Sequence, residues 1–233
     1  MAFLGRLRKR ERITERMDDP AIDPVEHRRA LAGLARINRV SNSAGVLWPS
    51  IHGLAVRLGR PIRLLDVATG SGDVAEALAV RARKAGIALE VAACDVSTTA
   101  IEEARRTHPG VKFFNHDALH AALPKGYDAV CCSLFLHHLS IDEGVALLVN
   151  MENAARHLVL VNDLARSRFS YVGVWLACRL LTRSSIVRFD GPASVRSAFT
   201  AEEALALARH AGLEGARAES KFPARFLLSW ERK

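Results

Sequence analysis

The 233-residue chain contains no C-x-x-C pair, and none of its four cysteines, Cys94, Cys131, Cys132 and Cys178, has histidines at a zinc-site spacing. No metal is expected, and the cysteines read as small core residues of a protein in a reducing cytoplasm, where structural disulfides are rare. Long apolar runs are missing too. The apolar part of RFSYVGVWLACRLLTRSSIVRF is too short, and too interrupted by Arg179, to span a bilayer. The opening MAFLGRLRKRER has neither the long apolar stretch nor the small-residue cleavage site of a secretory signal. That basic start reads either as a solvated tail or as a weak membrane-surface anchor through Phe3, Leu4 and Leu7. No internal repeat or low-complexity linker interrupts the chain.

What is present is ordinary for one globular domain with embellishments: 49% hydrophobic and 25% charged residues. The formal net charge of +8 raises nucleic acid as a partner, but beyond the first dozen residues the arginines are scattered. A small-molecule partner is expected instead.

Residues 1–60 read as a helical N-terminal extension. DPVEHRRALAGLARIN opens with Asp23 as N-cap and Pro24 at the first helical position, and Leu31, Leu34 and Ile37 share a face. A second apolar-faced segment, PSIHGLAVRLG, ends at Gly59 before Pro61. From Pro61 onward, strand-length apolar runs (IRLLDVA, ALEVAACDV, VKFFNHDA, YDAVCCSLFL, HLVLVNDL) alternate with helical stretches. Strands apolar throughout imply a parallel sheet covered on both faces, hence a doubly wound α/β domain over residues 61–233. Past Asp163 the alternation stops, and an insert of about 165–198 reads as a cap. The helix TAEEALALARHAGL and a hairpin divided by Pro223 close the chain.

The loop in LLDVATGSGDV carries most of the chemistry. Gly70, Gly72 and Ala75 match the G-x-G-x-x-[GA] pattern of dinucleotide binding, and Asp95 follows at a ribose-binding distance, so a nicotinamide cofactor is one reading. No lysine followed by a hydroxyl residue stands nearby, which excludes a nucleoside triphosphate loop. Asp66 separates the remaining readings. A pyrophosphate needs N–H groups without a crowding carboxylate, whereas a cationic ligand is favoured by one. S-adenosylmethionine (SAM) is such a ligand: it carries a sulfonium and an ammonium and has no phosphate. Asp95 can accept from its ribose hydroxyls, and Asp117 from its adenine amino group.

The segment from Pro61 to Asp163 resembles the class I SAM-dependent methyltransferases, and within them the ubiquinone and menaquinone biosynthesis type and related small-molecule enzymes. The family's acid-x-Gly-x-Gly-x-Gly motif is matched by Asp66, Ala68, Gly70 and Gly72, with alanine replacing the first glycine. The resemblance implies a Rossmann-like, mainly parallel seven-stranded sheet ending in an antiparallel hairpin. It places SAM against that loop, against Asp95 with Val96, against Asp117 with Ala118, and near Ser133. Ala154, Ala155, Arg156 and His157 stand where many members have a Pro-Gly-Gly turn.

Acceptors in open parallel sheets lie beyond the carboxyl ends of the strands, here at LFLHHLS and NDLARS. The Asn/Asp-Pro-Pro-aromatic signature of amino-methylating nucleic-acid enzymes is absent, its place taken by Ser133, Leu134 and Phe135. RNA methylation remains an alternative that the positive charge would serve. If the acceptor is a phenol, a base is needed, and His137 and His138 are the first candidates, with Asp163 third. Phe169, Tyr171, Trp175, Leu176 and Leu180 of the insert are expected to line a largely hydrophobic acceptor pocket, with Arg188 gating its entrance or tying down a turn. The expected activity is methyl transfer to a phenolic, quinone-like or polyketide molecule, at oxygen rather than carbon.

Overall fold

The computed structural model describes residues 6–232 apart from Pro20 and Ser41. Phe3 and Leu4 lie outside the described residues. Two helices come first, α1 (Pro24–Val40) and α2 (Ser43–Leu58). The alternating region follows as β1 (Ile62–Val67), α3 (Asp73–Lys84), β2 (Leu89–Asp95), α4 (Thr98–Thr107), β3 (Lys112–Asn115) and β4 (Tyr127–Ser133). A 3-10 turn at Leu136–His138 leads to α5 (Ile141–Ala154) and β5 (Ala155–Leu164). The insert forms α6 (Arg168–Leu181) and α7 (Ser185–Ser197), and the chain closes with α8 (Ala201–His210), β6 (Arg217–Lys221) and β7 (Arg225–Glu231).

The seven strands form one sheet in the order β3-β2-β1-β4-β5-β7-β6. The first five run parallel, and β7 is antiparallel to both β5 and β6. Successive side chains of a strand point to opposite faces, so β1 sends Leu64 to one core and Leu65 to the other, as β4 does with Cys131 and Cys132. One core lies under α2 and α3, with Leu47, Ile51 and Leu78 fully buried; the other lies under α5 and α8, with Leu147, Leu148 and Leu207. Both faces being covered explains the continuously apolar strands. An all-parallel dinucleotide sheet runs 3-2-1-4-5-6. The antiparallel β7, wedged between β5 and β6, departs from that order.

Three local features differ from, or sharpen, the sequence reading. Helix α2 starts at Ser43 and carries Pro49 inside it, because Ala44 and Leu47 are buried on the same face as Ile51 and Leu54. That burial outweighs the hydrogen bond that a proline cannot donate. Helix α5 passes into β5 without a loop, so residues 154–157 replace the family's turn by a direct junction. Finally, α1 does not pack on the sheet core as α2 does. Its Ala30 joins Cys178 of α6 and Ile186 and Val187 of α7 in a separate small cluster. Extension and insert thus share one cap.

Candidate active site

The loop after β1 is set by backbone geometry. Ala68, Gly70 and Gly72 all sit at positive φ (54°, 57° and 78°). At Ala68 the left-handed conformation costs about 1–2 kcal/mol relative to glycine, which is why the family prefers glycine there. Ties on both sides hold it: Thr69 N–H donates to the Cys94 carbonyl at 3.0 Å, and Gly70 N–H donates to Asp95 Oδ2 at 2.8 Å. A Cβ built at Gly70 would meet no atom within 4 Å, so the loop faces open space there. A bound ligand can approach this backbone closely.

Asp66 lies beneath the loop rather than in the open. It is 1% exposed, with Oδ2 accepting from the Thr69 hydroxyl at 2.6 Å and Oδ1 from the Cys131 thiol at 3.4 Å. Burial pushes its carboxyl up to about 7, partly offset by those two bonds. The Asp66 carboxylate is thus covered by the loop and bonded within it. Asp95, at the end of β2, accepts from Gly70 N–H and from Ser97 N–H at 2.9 Å. Each oxygen keeps a lone pair for a ribose hydroxyl. Burial holds this carboxyl above the usual range. Val96 beside it is 67% exposed, an apolar side chain left uncovered.

Asp117 follows β3 and accepts from Leu119 and His120 N–H groups at 3.0 and 3.1 Å, with His120 Nδ1 at 3.0 Å. Burial is the largest single influence and opposes its ionisation, but the bonds from Leu119 and His120 together bring it below the ordinary carboxylate range. It shapes the turn that presents the largely buried Ala118. Ser133 ends β4, its hydroxyl accepting from Asn162 Nδ2 of β5 at 2.9 Å. The residues assigned to SAM binding thus gather at the carboxyl ends of β1 to β4.

The histidine pair divides. His137 is 4% exposed; its main-chain N–H donates to Asp163 Oδ2 at 2.9 Å and its Nδ1 lies 2.6 Å from Asp163 Oδ1. On its other side, Nε2 is 3.4 Å from Glu15 Oε1. Burial alone would depress its pKa, but Asp163 and Glu15 outweigh it and hold the imidazole up at about 10. A ring already protonated at neutral pH does not suit a general base. Asp163, 1% exposed and accepting also from Leu164 N–H at 2.6 Å, has no open face either. His138 is the more accessible ring. It stacks on Phe135, and its Nε2 lies 3.9 Å from Glu15 Oε2.

Glu15 was missed by the sequence reading, as were the residues that place it. The segment from Arg10 to Met17 lies as a strap across the cap and the His137 turn. Arg10 donates to the carbonyls of Ser197, His137 and Leu139, Arg12 to that of His138, and the Arg16 and Met17 N–H groups donate to Asp190. Ser194 Oγ donates to Glu15 itself. No local pattern could reveal this, because Glu15 meets its partners only in the fold. Arg225 was also missed. It is buried at the end of β7, and desolvation lowers its pKa to about 10 against the pull of Asp163 and Asp73.

The insert residues do not converge as expected. Phe169 is 66% and Trp175 39% exposed, facing outward with the exposed Leu176 and Leu180, while Tyr171 is half-buried. The first two alternate with Ser170 and Cys178, which take the inner face of α6. Arg188 ties down a turn, donating to the carbonyls of Thr182 and Arg179 at 3.1 and 3.3 Å.

The strand order, the small-residue loop and the acids at successive strand ends are those of the class I SAM-dependent methyltransferase fold. Residues 64–158 match the family model described as a methyltransferase domain. No curated protein matches the sequence. Among solved structures, a chain described as PigF with S-adenosylhomocysteine (SAH) is 19% identical with a TM-score of 0.55, covering 73% of this chain and 50% of its own. The plantazolicin methyltransferase BpumL, in complex with an analogue and SAH, is 14% identical with a TM-score of 0.64 over 87% of this chain and 89% of its own. Magnesium protoporphyrin IX methyltransferase from Synechocystis PCC 6803, with bound SAH, is 16% identical with a TM-score of 0.56, covering all of this chain and 95% of its own. This chain spans half the length of the PigF chain, and the likeness in each case is one of fold. Among the described residues, no helix is long and apolar enough to cross a membrane.

The open loop face and the acids beside it fit SAM. Lowering the pH from ~8 to ~6 is expected to weaken SAM binding in titration calorimetry, because a cationic ligand favours the Asp66 carboxylate whose own pKa is about 7. Asp66→Asn should bind weakly and with that pH dependence flattened; an unchanged slope would remove Asp66 from the binding electrostatics.

Proposed function

We propose that this protein transfers a methyl group from SAM to the oxygen of a small, largely hydrophobic acceptor of phenolic, quinone-like or polyketide type. The observation that carries the reading is the open, positive-φ loop at Ala68–Gly72 bridged to Asp95 through Gly70 N–H. That loop, with Asp95, Val96, Asp117, Ala118 and Ser133, would hold the cofactor, which supplies a methyl carbon already activated by its sulfonium. The protein's remaining tasks are to align the acceptor and exclude water.

Transfer at oxygen is supported by His138, beside the end of β4. It can take the proton of a phenol, and the nearby Glu15 carboxylate would steady the imidazolium so formed. His137 acts as a positioning residue: its bonds to Asp163 and Glu15 fix the turn that carries His138. The names of the similar BpumL and protoporphyrin enzymes, both acting on small molecules, accord with a small-molecule acceptor.

Mass spectrometry of phenolic and quinone-like metabolites incubated with protein and SAM tests the reaction. In that assay His138→Ala should lower kcat about 100-fold while leaving the SAM Kd unchanged. Full turnover by that variant would remove His138 as the base, and tight NAD binding without SAM binding would overturn the cofactor assignment.

A further inference from the structure

The outer face of α6 has no partner among the described residues. Phe169, Val172, Leu176 and Leu180, at 66%, 57%, 48% and 74% exposure, follow one another at three- and four-residue steps and form one stripe, with Trp175 at its margin. The charge along the stripe's own segment has one sign. Between Leu164 and Phe189 the sequence holds no Asp or Glu, and Arg168, Arg179 and Arg183 are all exposed. Arg179 lies over the Trp175 ring at 3.8 Å. Arg166 Nε, two residues before α6, donates to the Leu7 carbonyl at 3.2 Å, and the exposed Arg8 and Lys9 follow Leu7.

We propose that α6 lies on an anionic phospholipid bilayer, its apolar stripe sunk to the headgroup boundary and its arginines on lipid phosphates. An exposed helix face with Trp, Phe and Leu on it and only cations along its own segment has the make-up of an interfacial helix. A second copy of this chain is a poorer occupant, since a two-fold pairing of this face would set one arginine-flanked helix against another of the same sign. Bound in this way, the cap sits against the membrane, where a hydrophobic acceptor would partition.

The test is co-sedimentation of the full-length protein with vesicles of phosphatidylcholine alone, or with about a quarter phosphatidylglycerol, at low and high salt, together with tryptophan emission. The expected result is at least about tenfold more protein on the anionic vesicles, a loss of binding at high salt, and a blue shift that Trp175→Phe abolishes. The pair Leu176→Ser and Leu180→Ser, both at exposed positions, should cut binding at least about tenfold with circular dichroism unchanged. Equal binding to neutral and anionic vesicles, or undiminished binding by that double variant, would overturn the proposal. So would a vesicle-free dimer that the double variant dissociates, which would assign the face to a second copy.

Discussion

Asp163→Ala is expected to lower the thermal midpoint by about 10 °C and to change its pH dependence. Asp163 is buried and accepts from both the main chain and the ring of His137. Removing it leaves a buried imidazole with Glu15 as its remaining charged partner, and breaking a buried pair in this way costs about 3–5 kcal/mol. In a chain of this size each kcal/mol shifts the midpoint by about 2–4 °C. The pH dependence follows from the direction of the shift. The His137 pKa is raised from 6.5 to about 10 in the folded protein. Its contribution to stability is therefore fully present below pH 6.5, declines as the unfolded chain deprotonates first, and is lost as pH rises through about 10. Melts recorded across that range should fall in the native protein and flatten in the variant. Parallel curves would mean that His137 is not held by Asp163.

Gly72→Ala is expected to destabilise the protein by about 2–5 kcal/mol and to weaken SAM binding at least about tenfold. Gly72 caps α3 at φ 78°, a conformation costing a side-chain-bearing residue about 1–2 kcal/mol. The added Cβ would stand 2.5 Å from Phe113 Cζ, 2.6 Å from Cε1 and 3.3 Å from Ala104 Cβ. Phe113 is only 6% exposed on β3 and has no free space to retreat into, so overpacking adds a further ~1–3 kcal/mol. Gly70→Ala is the informative partner. It shares the positive φ but meets nothing within 4 Å, so its loss of stability should stay near the backbone cost alone. Denaturant titrations showing equal losses for the two variants would contradict the packing argument.

The sheet, and the strand-end positions of the acids and glycines proposed to hold the cofactor, were legible in the sequence because they rest on local chemistry. Apolar strands covered on both faces read as such residue by residue, and Asp66, Gly70, Gly72, Asp95 and Asp117 stand at short, fixed distances from strand ends. What local patterns could not separate was contact from support. Asp66 and His137 carry the residue types of direct participants, yet burial assigns the first to the loop's underside and the second to an ion-paired turn. Phe169 and Trp175 failed in the opposite sense, since an aromatic on an amphipathic helix fits an inner lining and an outer face equally well. Glu15 could not be found at all, because its partners stand far along the chain.

The strap that carries Glu15 also fixes an order of events. Glu15 meets Ser194 across 179 positions, and Glu11 meets Arg196 across 185. The strap can therefore close only after α7 has been made, and until then its carboxylates stand in water. His138 gains its neighbouring acid no earlier than that step.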